Sequence, residues 1–182
     1  PLDGQGTAVD LTSGSLQLAA GSPVSDADGN RQAALMIPSG TTAELILDGG
    51  GTQPVENLSV RATEYTVGDH GPEAMPGALP PASGYTYAVE LSVDEAMIEG
   101  VSGIQFSQPL YSYSENFLGF PVGSAVPAGY YDKETSTCIA YKNGLVIKIF
   151  GISGGLADID VDGDDAADTG TALSDLGFTE AD

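Results

Sequence analysis

Apolar residues recur at every second position along most of this chain, the spacing of a half-buried strand. In "TTAELILDGGG" Ala43, Leu45 and Leu47 alternate with other residues, and in "ENLSVRATEYTV" Leu58, Val60 and Ala62 do the same. "YTYAVELSV" alternates through Tyr85, Tyr87, Val89 and Leu91, while "RQAALMIPSG" and "LVIKIFGI" are short apolar runs. Such runs, rich in β-branched and aromatic residues, fit strands better than helices. The pattern predicts an all-β fold, an antiparallel β-sandwich with Leu35, Ile37, Leu45, Val60, Val89, Phe106, Ile147 and Ile149 inward. Pro38, Ser39 and Gly40 separate two of the strands, and three more are expected around residues 122 to 150. Asp28-Gly29 and Asn143-Gly144 are dipeptides that tolerate the positive φ of tight hairpins.

Helix is expected only in short pieces. In "SVDEAMIEG" Ser92 is placed to cap the Glu95 amide while Glu95 reaches back, and Gly100 ends the turn. In "TALSDLGFTEAD" Leu173 and Leu176 pack one turn that Gly177 terminates, and Thr179 with Asp182 opens another helix. Between Gly68 and Gly84 glycine and proline break either period, which reads as a long ordered or semi-ordered loop.

Charge narrows the possible partners. Lys and Arg total 5 against 26 Asp and Glu, a formal net charge of -21, so phosphate backbones and anionic membrane surfaces are repelled. Nucleic acid is excluded as a partner on that ground. No apolar run approaches the roughly 20 residues that span a bilayer, so no membrane insertion by this segment is expected. The single cysteine, Cys138, rules out an internal disulfide and a cysteine-built zinc site. Pro1 in place of a start methionine leads us to expect an excised piece of a longer protein.

The acid is unevenly spread: "DIDVDGDDAAD", residues 158 to 168, holds six carboxylates in eleven positions. Asp158, Asp160 and Asp162 fall at positions 1, 3 and 5 of an oxygen-ligand calcium loop, Gly163 at 6, and Asp164 at 7, where the backbone carbonyl is the ligand. Asp168, or else Thr169, closes the shell, and Asp165 faces outward. The glycine lets the chain turn sharply enough for alternate side chains to converge. A solvated acidic linker is the plainer alternative, but the D-x-D-x-D-G register is more specific than a run of charge. The expected metal set is therefore Asp158, Asp160, Asp162, Asp164 and Asp168, and the expected cofactor is Ca²⁺. The expected domains are a β-sandwich over residues 1–150 and, over 151–182, a calcium-loop appendage with the start of a helical segment.

Catalytic patterns are weak. His70, the only histidine, lies between Asp69 and Gly71, away from any activated nucleophile. Glu64, Glu90 and Glu115 have no spacing that favours a pair for glycoside hydrolysis. Tyr111, Tyr113, Tyr130, Tyr131 and Phe117 would suit a sugar-binding platform, yet aromatics alternating along strands mostly pack. Asn57-Leu58-Ser59 matches a glycosylation acceptor and carries little weight by itself.

Two sets of strings carry family resemblances. "AALMIPSGTTAELIL", "VSGIQFSQPLYSYSE" and "GYYDKETSTCIAYKNG", with Ile37, Pro38, Gly40, Gly103, Phe106 and Pro109, resemble the β-sandwich family shared by ankyrins, netrin receptors and tight-junction scaffolds, over roughly residues 30 to 150. "VRATEYTVG", "TYAVELSVDEA" and "ENFLGFPVG" resemble a segment of large bacterial surface or secreted proteins of the YD-repeat (Rhs) class, over nearly the whole chain. Relatives in the first family that cleave themselves use His-Phe-Ser; here Gln105 precedes Phe106 and Ser107, so the base is missing and the chain is expected to stay whole. The hairpin tryptophan often found in relatives is replaced by Cys138, Ile139 and Ala140.

These readings converge on a non-catalytic, calcium-binding structural or interaction module of a large exported bacterial protein, extracellular or on the cell surface. Its expected partners are neighbouring domains of the same protein or another surface protein, and the module itself is expected to be a monomer. The alternative is a carbohydrate-binding or carbohydrate-active module. The acidic loop would stiffen a joint, fixed with metal bound and self-repelling without it.

Overall fold

A computed structural model describes residues 1–68 and 87–178. The Pro/Gly-rich stretch with His70, and the helix start at Thr179, lie outside the described residues. Among the described residues the architecture is all-β and antiparallel, with one short α-helix, and it divides into two compact units, residues 1–68 with 87–117 and residues 118–178. Residue 150, the boundary expected from sequence, falls within a strand of the second unit, Lys148–Ser153.

The first unit contains β1 (Thr7–Asp10), β2 (Gln17–Ala20), β3 (Val24–Asp26), β4 (Gly29–Arg31), β5 (Ala34–Ile37), β6 (Ala43–Leu47), β7 (Thr52–Val55), β8 (Asn57–Glu64), β9 (Val89–Val93), β10 (Val101–Phe106) and β11 (Tyr111–Tyr113). They form three-stranded sheets in the orders β1-β8-β9, β10-β6-β7 and β11-β5-β2, together with the β3-β4 hairpin. Alternation decides which side chains meet. Val9 of β1, Ala19 of β2, Leu35 and Ile37 of β5, Leu58 and Val60 of β8 and Val93 of β9 form one buried cluster, against which Ile104, Phe106 and Leu110 pack. Two sheets thus bury their inner faces against each other, as expected for a sandwich. Fully burying a side chain such as Ile37 or Leu58 contributes about 1.5–3 kcal/mol.

Of the eight residues expected inside, Leu35, Ile37, Leu45 and Val60 are buried, and Val89, Phe106 and Ile147 are half-buried. Ile149 is a correction: it is 57% exposed, and Val146 is the buried residue of that run. The run is not one strand, because one strand ends at Leu145 and the next starts at Lys148. Among the described residues that next strand lies in a two-stranded ribbon, and Ile149 stands on its open face.

Two expectations about local chemistry are also corrected. The Asp94–Met97 segment is a 3₁₀ helix without a side-chain cap. The Glu95 carboxylate instead accepts the Ser59 amide of β8 at 2.9 and 3.1 Å, because a sheet amide lies within its reach, and the Ser92 hydroxyl is left buried without a partner. Asn143-Gly144 makes no hairpin: the strand before it, Thr137–Ala140, pairs back to Gly129–Asp132, and the strand after it, Gly144–Leu145, pairs to Ala125–Val126. Asp28-Gly29 does close the β3-β4 hairpin, with Gly29 at φ 132°.

A buried ion cluster anchors β3 and β4 to β8. Arg31, 3% exposed, donates to both Asp26 oxygens at 2.8 and 2.9 Å, to Glu64 Oε1 at 2.6 Å and to the Thr66 carbonyl, and its guanidinium lies 4.5 Å from the Phe117 ring centre. Hydrogen bonds from Arg31 hold the Asp26 carboxyl well below the usual carboxylate range. Burial pushes the nearby Tyr87 hydroxyl up to about 12.

Among the described residues the second unit holds three two-stranded ribbons: β12 (Ala125–Val126) with β15 (Gly144–Leu145), β13 (Gly129–Asp132) with β14 (Thr137–Ala140), and β16 (Lys148–Ser153) with β17 (Leu156–Asp160). Helix α1 (Thr171–Ser174) follows. The turn after it is closed at Gly177, φ 90°, where the Gly177 amide donates to the Ser174 carbonyl and the Phe178 amide to the Leu173 carbonyl. Val146, Ile159 and Val161 are its buried apolar side chains among the described residues.

Candidate metal centre

The acidic loop is positioned by the hairpin before it. Ser153 faces Leu156 across a two-residue turn, Gly154-Gly155, whose φ values of 64° and 93° suit the twist of a tight hairpin. That register carries β17 through Asp158 to Asp160, opposite Lys148. The strand therefore takes up the first acid of the run, and the loop proper starts at Asp160.

Asp160 is fully buried and organises the turn that follows. Its Oδ1 accepts the amides of Asp162 at 3.2 Å and Gly163 at 2.6 Å, and its Oδ2 accepts that of Asp165 at 3.1 Å. Three amide bonds are what allow an anion at this depth. Asp168 closes the far side. Its amide donates to the Ile159 carbonyl at 2.7 Å, and its Oδ2 accepts the Val161 amide at 2.7 Å, so residues 161 to 168 form a loop with tied ends.

This folding brings carboxylate oxygens of Asp160, Asp162 and Asp168 within 4.8 Å of one another. Asp160 is buried, Asp168 half-buried and Asp162 exposed, so the group opens to solvent on one side. The carboxylates of Asp158 and Asp164 are not part of it; the ligand expected of Asp164 is its backbone carbonyl, not this side chain. Asp158 lies in β17, where its Oδ2 accepts the Ser153 hydroxyl at 2.6 Å, and the Asp164 Oδ1 accepts the Ala166 amide at 2.8 Å. Asp165 does face outward, with φ 64°, and pairs with Lys148 Nζ at 2.6 Å, which lowers its carboxyl pKa. Thr169 is exposed.

The donors suit one class of ion. Three carboxylates, with no nitrogen or sulfur, make a hard oxygen site able to coordinate a divalent metal ion. Converging acids repel one another, and a bound cation relieves that repulsion.

The loop rests on a second stretch that the motif did not single out. A Cβ built on Gly163, φ 83°, would stand 2.8 Å from the Val122 carbonyl oxygen, and one built on Gly123, φ 80°, would stand 2.8 Å from the Asp162 carbonyl oxygen. The two backbones therefore touch where neither residue has a side chain. A glycine between "PV" and "SAVP" was the available sign in the sequence, and nothing in its local pattern tied it to the acidic loop.

Elsewhere Ser107, Glu64 and Glu115 have structural partners. Ser107 Oγ accepts the Thr42 amide at 2.9 Å, and the Ser107 amide donates to the Thr42 carbonyl. Glu64 is held by Arg31, and a Glu115 oxygen accepts the Gln32 amide. Tyr130 and Tyr141 are 52% and 66% exposed, but their rings stand edge-to-face at 81° and so form no flat platform. Phe117 packs on Arg31 and Tyr87. Among the described residues, no helix is long and apolar enough to cross a membrane.

No protein-family model, curated protein or solved structure gives a significant match to the chain.

Proposed function

We propose that this chain is a non-catalytic, calcium-binding module of a larger exported bacterial protein, serving as a spacer or docking domain beside its neighbours. The observation that carries the metal reading is the convergence of Asp160, Asp162 and Asp168 oxygens within 4.8 Å on a loop already closed by backbone hydrogen bonds. Calcium is favoured over magnesium because the loop offers an irregular, anionic, all-oxygen set, whereas magnesium demands near-ideal octahedral geometry and gives up its waters reluctantly. The exported bacterial setting rests on the resemblance of "VRATEYTVG" and "ENFLGFPVG" to YD-repeat proteins. The non-catalytic reading is supported by the structural partners of Ser107, Glu64 and Glu115. It is also favoured over the carbohydrate module by the crossed, not coplanar, Tyr130 and Tyr141 rings.

Isothermal titration with calcium tests the metal reading. The expected result is one site with a dissociation constant on the order of 10⁻⁴ to 10⁻³ M, the range of extracellular modules. In the Asp162→Ala variant binding is expected to weaken at least tenfold with the far-UV spectrum unchanged, since that side chain is exposed. Absence of uptake by the parent chain at several millimolar calcium, or equal uptake by the variant, refutes it.

A further inference from the structure

We infer that the outer edge of β16 is a strand-addition site for an extended cationic segment in which apolar residues alternate with lysine or arginine; the inference deepens the docking reading above, on which it rests, and needs no metal. In the β16–β17 ribbon Ile149 faces Ile159 and Ile152 faces Ala157 across the pair, so these four side chains share one face. Ile149 and Ile152 are three positions apart, and in a regular strand they would point to opposite faces. The register shift between Ile149 and Gly151 takes up Phe150 as an extra residue and returns Ile152 to the face of Ile149. Both are exposed, Ile152 at 76%, and so are Phe150 and Leu156. One hairpin thus presents four large apolar side chains to solvent.

The two edges of the ribbon differ. On the β17 side the Ile159 carbonyl accepts the Asp168 amide at 2.7 Å, so the returning loop already uses that edge. Among the described residues β16 lies in a two-stranded sheet with β17, and the outer edge of such a strand offers alternate N–H and C=O groups to another strand. An incoming strand would bond to those groups and lay its apolar face on Ile149 and Ile152. Its other side chains would fall on the opposite face, beside Gly151. A Cβ at Gly151 meets nothing within 4 Å, and Asp158 stands directly across the ribbon from it. A long basic side chain can therefore pass over the glycine to that carboxylate. Charge decides the occupant: between residues 148 and 168 the chain carries six aspartates and one lysine, and Lys148 is already paired with Asp165 at 2.6 Å. A second copy would set two such acidic stretches side by side, whereas a strand bearing lysine or arginine complements the charge.

Fluorescence anisotropy with the full 182-residue chain, in chelator, tests this. The probe is a labelled octapeptide of alternating lysine and valine. Its counterparts are an octapeptide of alternating glutamate and valine, and the lysine peptide with alternate amides N-methylated, which keeps the charge and side chains but cannot pair as a strand. The lysine peptide is expected to bind at least tenfold more tightly than either counterpart. Ile152→Lys should weaken that binding at least tenfold with the far-UV spectrum unchanged, because the side chain is exposed. Ile98→Lys, the same change of charge at an exposed residue of the first unit, should bind as the parent does. Equal binding of the N-methylated peptide, or equal loss in both variants, would mean general attraction to an acidic chain and overturn the inference. Equal uptake of the glutamate peptide overturns the cationic occupant and leaves docking at the ribbon standing, whereas uptake of no peptide overturns both. Self-association of the parent that Ile152→Lys abolishes, or binding to phosphatidylcholine vesicles in place of peptide, gives the ribbon a different occupant and also overturns it. Should Ile152→Lys fail to fold, hydrogen exchange of the β16 amides in the parent decides: saturating lysine peptide should slow it at least fivefold, and an unchanged rate refutes strand addition.

Discussion

The Asp168 carboxylate accepts the Val161 amide at 2.7 Å, tying the end of the acidic loop to its beginning. Asp168 therefore has two separable parts, one as a hydrogen-bond acceptor and one as a charge. Asp168→Asn keeps an oxygen that can accept the amide but removes the charge; Asp168→Ala removes both. We expect calcium affinity to fall at least tenfold in both variants, with thermal stability near the parent's in Asp168→Asn. Asp168→Ala should lose about 1–3 kcal/mol in the absence of metal, the usual cost of an amide left without its partner. Thermal melts with chelator, paired with calcium titrations, check this, and equal stability of the two variants would contradict it.

Acid sensitivity of the first unit should trace to Asp26. Its hydrogen bonds from Arg31 depress the folded-state pKa below the ordinary 3.8, so the unfolded chain binds more protons in that range. The resulting stabilisation is fully present above the unfolded pKa and is lost as pH falls from about 4 toward the folded value. Urea unfolding of the parent and Asp26→Asn across pH 2.5 to 7 should give curves that run parallel above about pH 5 and converge below about pH 4. Curves parallel throughout would show that the Asp26 pair makes no such contribution.

Removing the other partner is more severe. Arg31→Ala leaves Glu64, whose side chain is 4% exposed, as a buried charge without its cation. Breaking such a pair typically costs about 3–5 kcal/mol. Arg31→Met together with Glu64→Leu and Asp26→Leu should recover most of that loss, because replacing both signs removes the desolvation penalty along with the attraction. Chemical denaturation of the two variants distinguishes a specific role of the charges from their mere mutual compensation.

Strand identity was legible where burial is one-sided. Leu58, Val60 and Ala62 of β8 alternate in sequence and are buried in the structure, because neighbouring strands supply a core for that face alone. The same rule failed at Ile149, where the sequence shows an apolar run but not whether a third strand will cover it. In the acidic loop, three of the residues expected to hold metal, Asp160, Asp162 and Asp168, are the ones whose carboxylate oxygens converge. The grouping turns on the Gly154-Gly155 hairpin, whose register takes Asp158 into β17, a consequence of pairing and not of acid spacing. The sequence around Glu95 offers it a local cap; the competing Ser59 amide is 36 positions away and enters only through tertiary contact. Gly123 shows the same limit, since no local pattern announces a backbone contact with Asp162.

Calcium should protect the loop selectively. Residues 162 to 167 are exposed, and the loop is held chiefly by hydrogen bonds to Asp160 and Asp168, so local opening there needs far less free energy than global unfolding. A cation bound only by the closed form suppresses opening in proportion to its saturation: at calcium about ten times the dissociation constant, the open population falls about tenfold. A protease that cuts before aspartate should therefore cleave at Asp162, Asp164 and Asp165 about tenfold more slowly with calcium than with chelator. Cleavage before Asp10 and Asp48, in the first unit, should be unchanged, because neither residue belongs to the converging group. Mass spectrometry of timed digests separates the two sets of sites. Equal protection at all of them would mean that the metal stabilises the whole chain, and the loop would then be a keystone of the fold instead of a locally stiffened joint.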